Sequence, residues 1–294
     1  ELIICDSGSV DGTEGICRKY ADRDVRVRYY RSERNHGAAR NFNWTFDFAL
    51  ADYFKWVAHG DVLAPVYLEA CVAALEAAPD AVLCRSRVGV IDGQGRRHAG
   101  IDGPPAGLDA GRPAARFAAA VRARDTAREV FGVARASALI GSRLHGGFPA
   151  CERALAAELA LRGRFVEIPA CLSFSRDRRA RGYGRSAAAD ADGAAAAWHD
   201  PADGRRVTLP LWRLYAEYVR VVRRQLTNVG PRLRCYLCLA RSLAFDRNGV
   251  RLARELAGFV GPRLGGLVVG LKGRLFGPAV PSLAGGGKPG GSAP

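Results

Sequence analysis

Ile3 and Ile4 lie at the centre of a short apolar run, Glu1 to Cys5, that stops abruptly at DSGSVDGT. A run of that length bounded by turn residues predicts a strand buried on both faces, as in a parallel sheet. Thr13 to Ala21 then carries helical spacing through Ile16, Cys17 and Tyr20, and Val25 to Tyr30 alternates like a second strand. Strand, helix, strand in that order predicts an α/β sheet with right-handed crossovers.

The same reading extends along the chain. A helix is expected from Ala38 to about Ala51, with Phe42, Phe46 and Ala49 on one face, then the strand YFKWVA ending in the polar turn HGD. The helix VYLEACVAALEAA closes at Pro79, AVLCRSRVGVI enters a hairpin at DGQG, and residues 100–115 read as a Gly- and Pro-rich loop. REVFGVARASAL suggests a strand leading into a short helix. CERALAAELALRG is a helix with Leu155, Leu159 and Leu161 inward, and FVEIPACLSFSR a strand pair or one bent strand. RDRRARGYGRSAAADADGAAAA has no apolar period and reads as mobile. Leu211 to Phe259 is helical and basic, with Trp212, Leu214, Tyr215 and Tyr218 as packing residues, and the tail GGGKPGGSAP reads as disordered. Divisions fall at about residues 100 and 190.

Charge decides less than it first suggests. The net charge is +15, but Lys19, Lys55, Lys272 and Lys288 are the only lysines, so the excess is arginine in a chain rich in alanine and glycine. A solvated basic surface accounts for it, and a diphosphate-bearing substrate or an anionic membrane would also be attracted. The Arg-rich stretch from Arg205 to Arg254 lacks the interleaved exposed aromatics of nucleic-acid modules, so no nucleic-acid partner is expected. Most of the eight cysteines sit inside apolar patterns, which indicates a reduced, cytoplasmic setting, and the CxxC of Cys235 and Cys238 has no second half to complete a zinc site. No apolar run is long enough to span a bilayer, although Gly258 to Pro281 could rest on a membrane surface. The chain has no methionine and begins inside a strand-like run, so its natural N-terminus is expected upstream.

Three clusters carry candidate chemistry. Asp6 stands at the carboxyl end of the first strand, where open α/β sheets place ligands, and its carboxylate can accept hydrogen bonds from a base or ribose. Ser9 and Asp11 could equally cap the next helix. NHGAARN places Asn35 and Gly37 in a turn and Arg40 and Asn41 in the first turns of a helix, where free amides and a guanidinium favour anionic oxygen. Asp61, ending AHGD, suits a divalent cation bridging a diphosphate, and His59 is either a ligand or a polar loop residue.

DSGSVDGT, NHGAARN and KWVAHGDVLAP, in that order, resemble the inverting family-2 glycosyltransferases with the GT-A fold. The resemblance continues into CERALAAELALRGRF. It implies an α/β GT-A core with a mostly parallel sheet flanked by helices, a helical C-terminal extension, and a first strand-helix unit lying outside this sequence. Residues 1–100 would be the nucleotide-sugar-binding part, 101–190 the acceptor side, 191–284 the extension and 285–294 a disordered tail. It further implies a nucleotide-sugar donor, a glycan or lipid-linked acceptor and a Mg2+ or Mn2+ ion. Asp6 would contact the nucleoside, Arg40 the diphosphate, Asp61 the metal, and Glu152 would be the general base. Glu152 could also be only an acidic residue favoured by the helix dipole.

The sequence departs from the family pattern at three places. Gly60 stands where the AHDD form has an aspartate, Glu152 where aspartate is common, and Arg178 where a histidine often follows the last strand. Two readings follow: an inverting transferase, or a non-catalytic nucleotide-sugar-binding relative.

Overall fold

The computed structural model describes residues 1–58, 60–102, 105–123, 126–176, 194–201, 209–246 and 248–260. Compactness divides the chain into Glu1–Leu252 and Ala253–Pro294; in the second unit, residues 253–260 are helical. His59, Arg178, the tail and residues 177–193 of the segment read as mobile lie outside the described residues.

The order of the opening motif is as expected. Strand β1 (Leu2–Asp6), helix α1 (Thr13–Ala21) and strand β2 (Val27–Arg31) form a β-α-β unit whose strands pair in parallel, from Leu2 opposite Val27 to Asp6 opposite Arg31. The first strand is not buried on both faces, however: Leu2 is exposed and Ile3 to Cys5 are half-buried, because the strand pairs with β2 in a two-stranded sheet and α1 buries none of its residues. Helix α2 (Ala38–Asp47) follows. The remaining strands are β3 (Tyr53–Phe54), β4 (Val62–Leu63), β5 (Ala81–Ile91), β6 (Arg97–Asp102), β7 (Val133–Arg135) and β8 (Arg164–Arg176). They form a second sheet in the order β3-β7-β5-β8-β4, with β6 hairpinned onto β5.

That sheet is mixed rather than mostly parallel. β5 pairs with β8 in parallel, but β3–β7, β5–β7, β4–β8 and β5–β6 are antiparallel. Buried apolar strands look alike in either orientation, so the sequence pattern does not distinguish the two. The expected strand YFKWVA contracts to Tyr53–Phe54 because its partner β7 offers only Arg135 and Ala134 for pairing. β8 is one bent strand, and its register against β5 jumps from Ile168 to Cys171. Pro169 lies inside that jump and has no N–H for the ladder.

The helices completing the described part are α3 (Tyr67–Glu76), α4 (Pro113–Arg122), α5 (Ala136–Leu139), α6 (Cys151–Arg162), α7 (Ala194–His199), α8 (Pro210–Gln225) and α9 (Val229–Phe245), with a 3-10 turn at Thr126–Phe131. Three expectations are corrected. The loop 100–115 is invaded by β6 and by α4, whose Pro113 occupies the first helical turn, where its missing N–H costs nothing. The alanine run before Trp198 is helical. Trp212 stays 44% exposed, its indole donating to the Leu252 carbonyl, while Leu214 and Tyr218 do enter the core.

Helix α6 lies at the centre of that core. Ten of its twelve residues are buried, among them Leu155, Leu159 and Leu161. Ala154, Ala156, Ala157 and Ala160 let α4, α8 and the 3-10 turn approach it closely. One acidic side chain on this helix, Glu158, is neutralised inside the core by Arg162 at 3.2 Å and Arg224 at 2.5 Å, with Gln225 at 2.8 Å. Another buried pair, Arg85 and Glu129 at 3.0 Å, ties β5 to the 3-10 turn.

Candidate active site

The end of β1 opens into a cavity of about 450 Å3 lined by Asp6, Ser9, Thr13, Asn35 and Asn41 together with the intervening turn. Asp6 is buried and held at both oxygens. Oδ1 accepts the Ser9 backbone N–H at 2.8 Å, Oδ2 accepts the Tyr29 hydroxyl at 2.7 Å, and the Arg31 guanidinium stands 3.6 Å away. Burial pushes the Asp6 carboxyl upward, but the hydrogen bonds from Ser9 and Tyr29 and the Arg31 charge outweigh it, so the group lies below the usual aspartate value. The result is a fixed carboxylate at a strand end. Asp11 is exposed, and its Oδ1 accepts the Thr13 N–H at 3.0 Å, so the start of α1 uses it as a local brace.

The second turn closes the other side. Asn35 Oδ1 accepts the Gly37 N–H at 2.8 Å, and Asn41 Nδ2 donates to the Cys5 carbonyl at 3.0 Å, binding α2 to the end of β1. Asn41 Oδ1 is buried without a hydrogen-bond partner, and Asn41 is among the residues that line the cavity. Gly37 has φ +84°, and a Cβ there would lie 2.5 Å from the His199 carbonyl oxygen, so both conformation and space require glycine. Arg40 is exposed on the first turn of α2, and the positive charges of Arg40 and Arg34 contribute, after burial, to holding His36 below its ordinary value.

At the third turn, Asp61 is half-buried with its N–H donated to the Ala58 carbonyl at 3.1 Å. Gly60 has φ +86°, and the nearest atoms to a Cβ built on it belong to Arg176, at 3.7 Å and beyond. Asp61 also faces Lys55: burial pulls this ammonium down to about 8, and the Asp61 charge works against that shift. Asp61 is the one carboxylate of this turn and the Arg176 side chain lies against its glycine, so a magnesium ion held here would have to draw its other ligands from water and substrate phosphates.

Glu152 lies in the first turn of α6, two residues after Ala150, whose φ of 66° is left-handed. A non-glycine residue there costs about 1–2 kcal/mol, strain of the sort packing must impose. Glu152 is 9% exposed, and burial, its largest influence, raises its carboxyl above the ordinary glutamate value. Glu158, six residues on, is committed to its ion pairs.

The turns are connected through residues that sequence reasoning missed. The His199 carbonyl seats Gly37, and His199 Nδ1 lies 3.8 Å from the Cys151 sulfur, next to Glu152. Asn43 on α2 grips the backbone of His145 from both sides, accepting its N–H and donating to its carbonyl, each at 2.9 Å. These pairings join residues far apart in the chain, and no local pattern announces them. Tyr29 was the exception, since alternation along β2 could have placed it on the Asp6 face.

Known proteins bear on this geometry in two ways. The family model for glycosyl transferase family 2 matches residues 1–126, the part that carries the first three turns. Among solved structures, S. aureus TarS 1-349 superposes with a TM-score of 0.51 at 14% identity over 84% of this chain and 63% of that one. The same TarS segment with UDP-GlcNAc gives 0.52 at 14% identity, over 84% and 64%. The chain thus spans less than two thirds of these structures, and the likeness establishes the fold. No curated protein matches the sequence.

Proposed function

We propose that this chain, a family-2 glycosyl transferase in its N-terminal part and GT-A in fold, transfers a sugar from a nucleotide-sugar donor to an acceptor hydroxyl with inversion. The supporting observation is the contact path from donor turn to base: Gly37 against His199, His199 against Cys151, and Cys151 beside Glu152. TarS has been solved with UDP and with UDP-GlcNAc, which supports a nucleotide sugar as donor class.

In this reading the nucleoside occupies the cavity at Asp6, Ser9, Asn35 and Asn41, and Arg40 draws the diphosphate toward α2. Glu152 takes the proton of the acceptor hydroxyl as that oxygen bonds to the anomeric carbon from the face opposite the diphosphate. The bond from the anomeric carbon to the phosphate oxygen breaks, and its electron pair leaves with the nucleoside diphosphate. Burial raises the proton affinity of Glu152, which suits a base. A divalent cation at Asp61 would supply charge neutralisation to the leaving diphosphate. Glu152→Gln should lower transfer, read as nucleoside diphosphate release with acceptor present, by about 10^2–10^4-fold. Undiminished turnover would reject the assignment.

Gly60 favours a second reading, a nucleotide-sugar-binding relative without transfer, because it removes one carboxylate from the metal turn. Donor binding with no turnover on any acceptor would select it. Polysaccharide or cell-envelope glycan synthesis in the cytoplasm is the setting we assign. Eight free cysteines agree with a reducing compartment. Among the described residues no helix is long and apolar enough to cross a membrane. Val229, Leu233 and Leu237 are exposed along one face of α9 near Arg234 and Arg241, which supports peripheral contact with the membrane bearing a lipid-linked acceptor.

A further inference from the structure

Next to Glu152 is a cluster that glycosyl transfer does not require. His145 is 3% exposed, and neither of its ring nitrogens has a hydrogen-bond partner. A buried imidazole left that way loses the hydrogen bonds it had in water, a cost that a bound ligand would remove. Aromatic packing explains where the ring lies: Phe42 and Trp56 have centroids 4.9 and 4.6 Å from it. It does not explain why a histidine fills the place. One nitrogen of His145, the Cys151 sulfur and a Glu152 carboxylate oxygen lie within 4.8 Å of one another, all buried, and His199 Nδ1 lies 3.8 Å from the same sulfur.

We propose that His145, Cys151 and His199 form a binding site for a thiophilic divalent cation, zinc in the first instance, with the Glu152 carboxylate facing the fourth position. Two imidazoles and a thiolate are a donor set that zinc selects over magnesium or calcium, and three protein ligands with one open position is a common zinc arrangement. Zinc bond lengths put tetrahedral donors roughly 3.3–3.8 Å apart. The His145, Cys151 and Glu152 donors, within 4.8 Å of one another, would close by about an ångström, and His199 Nδ1 already lies 3.8 Å from the Cys151 sulfur. The backbone beneath it is already fixed, since Asn43 clamps His145 at both polar groups and Cys151 lies on the first turn of the most deeply packed helix. Binding displaces the thiol proton to solvent and gives the buried His145 nitrogen its missing partner. It also draws the carboxylate that we assign as base, so zinc loading and transfer compete.

The test uses the full chain, stripped of metal and titrated with cobalt. One equivalent should bind with tetrahedral visible bands and a thiolate-to-cobalt charge-transfer band, and zinc should displace it. Cys151→Ser should abolish the charge-transfer band, and His199→Ala should weaken binding by at least about tenfold. Cys235→Ser with Cys238→Ser should leave the spectrum unchanged. Where a variant fails to fold by circular dichroism, X-ray absorption of the zinc-loaded wild type decides. A shell with one sulfur and two imidazole nitrogens supports the site; a shell of several sulfurs, or of none, overturns it. Absence of stoichiometric cobalt binding to the wild type, or a spectrum that survives Cys151→Ser, also overturns it. These readouts involve no sugar, so they stand or fall apart from transfer activity.

Discussion

Helices α1 and α6 both begin beside a carboxylate assigned to the chemistry, yet they are built in opposite ways. α1 buries none of its residues, whereas α6 buries ten of twelve. Asp6, which we propose for the donor, is fixed by hydrogen bonds from Ser9 and Tyr29, and Glu152, which we propose as the base, is fixed by packing. A site that must admit and release a nucleotide can be held by polar contacts on a thin scaffold. A proton acceptor that must keep its place and its raised affinity needs the core around it.

The contrast breaks most readily through stability. Leu159→Ala on α6 should cost about 2–5 kcal/mol, because the residue is fully buried and a cavity remains. Ile16→Ala on α1 should stay within about 0.5 kcal/mol, since Ile16 is 60% exposed. Urea unfolding of both variants checks this; equal losses would erase the distinction. Gly37→Ala tests the seam between the two regions. The left-handed backbone alone should cost about 1–2 kcal/mol, and the His199 carbonyl must shift as well, so donor affinity and turnover should both fall. Wild-type affinity in that variant would show that the His199 contact is not needed.

The smallest effect concerns pH. The Asp6 carboxyl lies below its unfolded value, so its contribution to stability is fully present above an unfolded pKa of about 3.9 and is lost as pH falls through the folded one. Asp6→Asn should therefore flatten the acid limb of the stability profile below about pH 4, whereas Glu152→Gln should leave that limb as in wild type, because a carboxyl raised on folding is protonated in both states there. An unchanged acid limb would mean that the hydrogen bonds at Asp6 contribute nothing to folding.

Much of this was legible in the sequence, for reasons that differ by region. The β1-α1-β2 unit, the hairpin at DGQG and helix α6 are each declared by local periodicity and turn chemistry. Asp6, Ser9, Asn35 and Asn41 meet because turns at strand ends share one edge of the fold. Strand orientation was hidden, since parallel and antiparallel partners present the same apolar runs. α4 and α7 were hidden by composition: ARFAAAV and the alanines before Trp198 have high helix propensity but little contrast between faces. The links through Asn43 and His199 span 102 and 48 residues, beyond any local signal.

The division of labour is tested most directly by titrating a nucleoside diphosphate sugar calorimetrically against wild type, Asp6→Ala and Glu152→Gln. A charged hydrogen-bond partner lost at the donor cavity should weaken binding by about tenfold or more in Asp6→Ala, and Glu152→Gln should bind within about twofold of wild type. Undisturbed binding in Asp6→Ala, or its collapse in Glu152→Gln, would contradict the account.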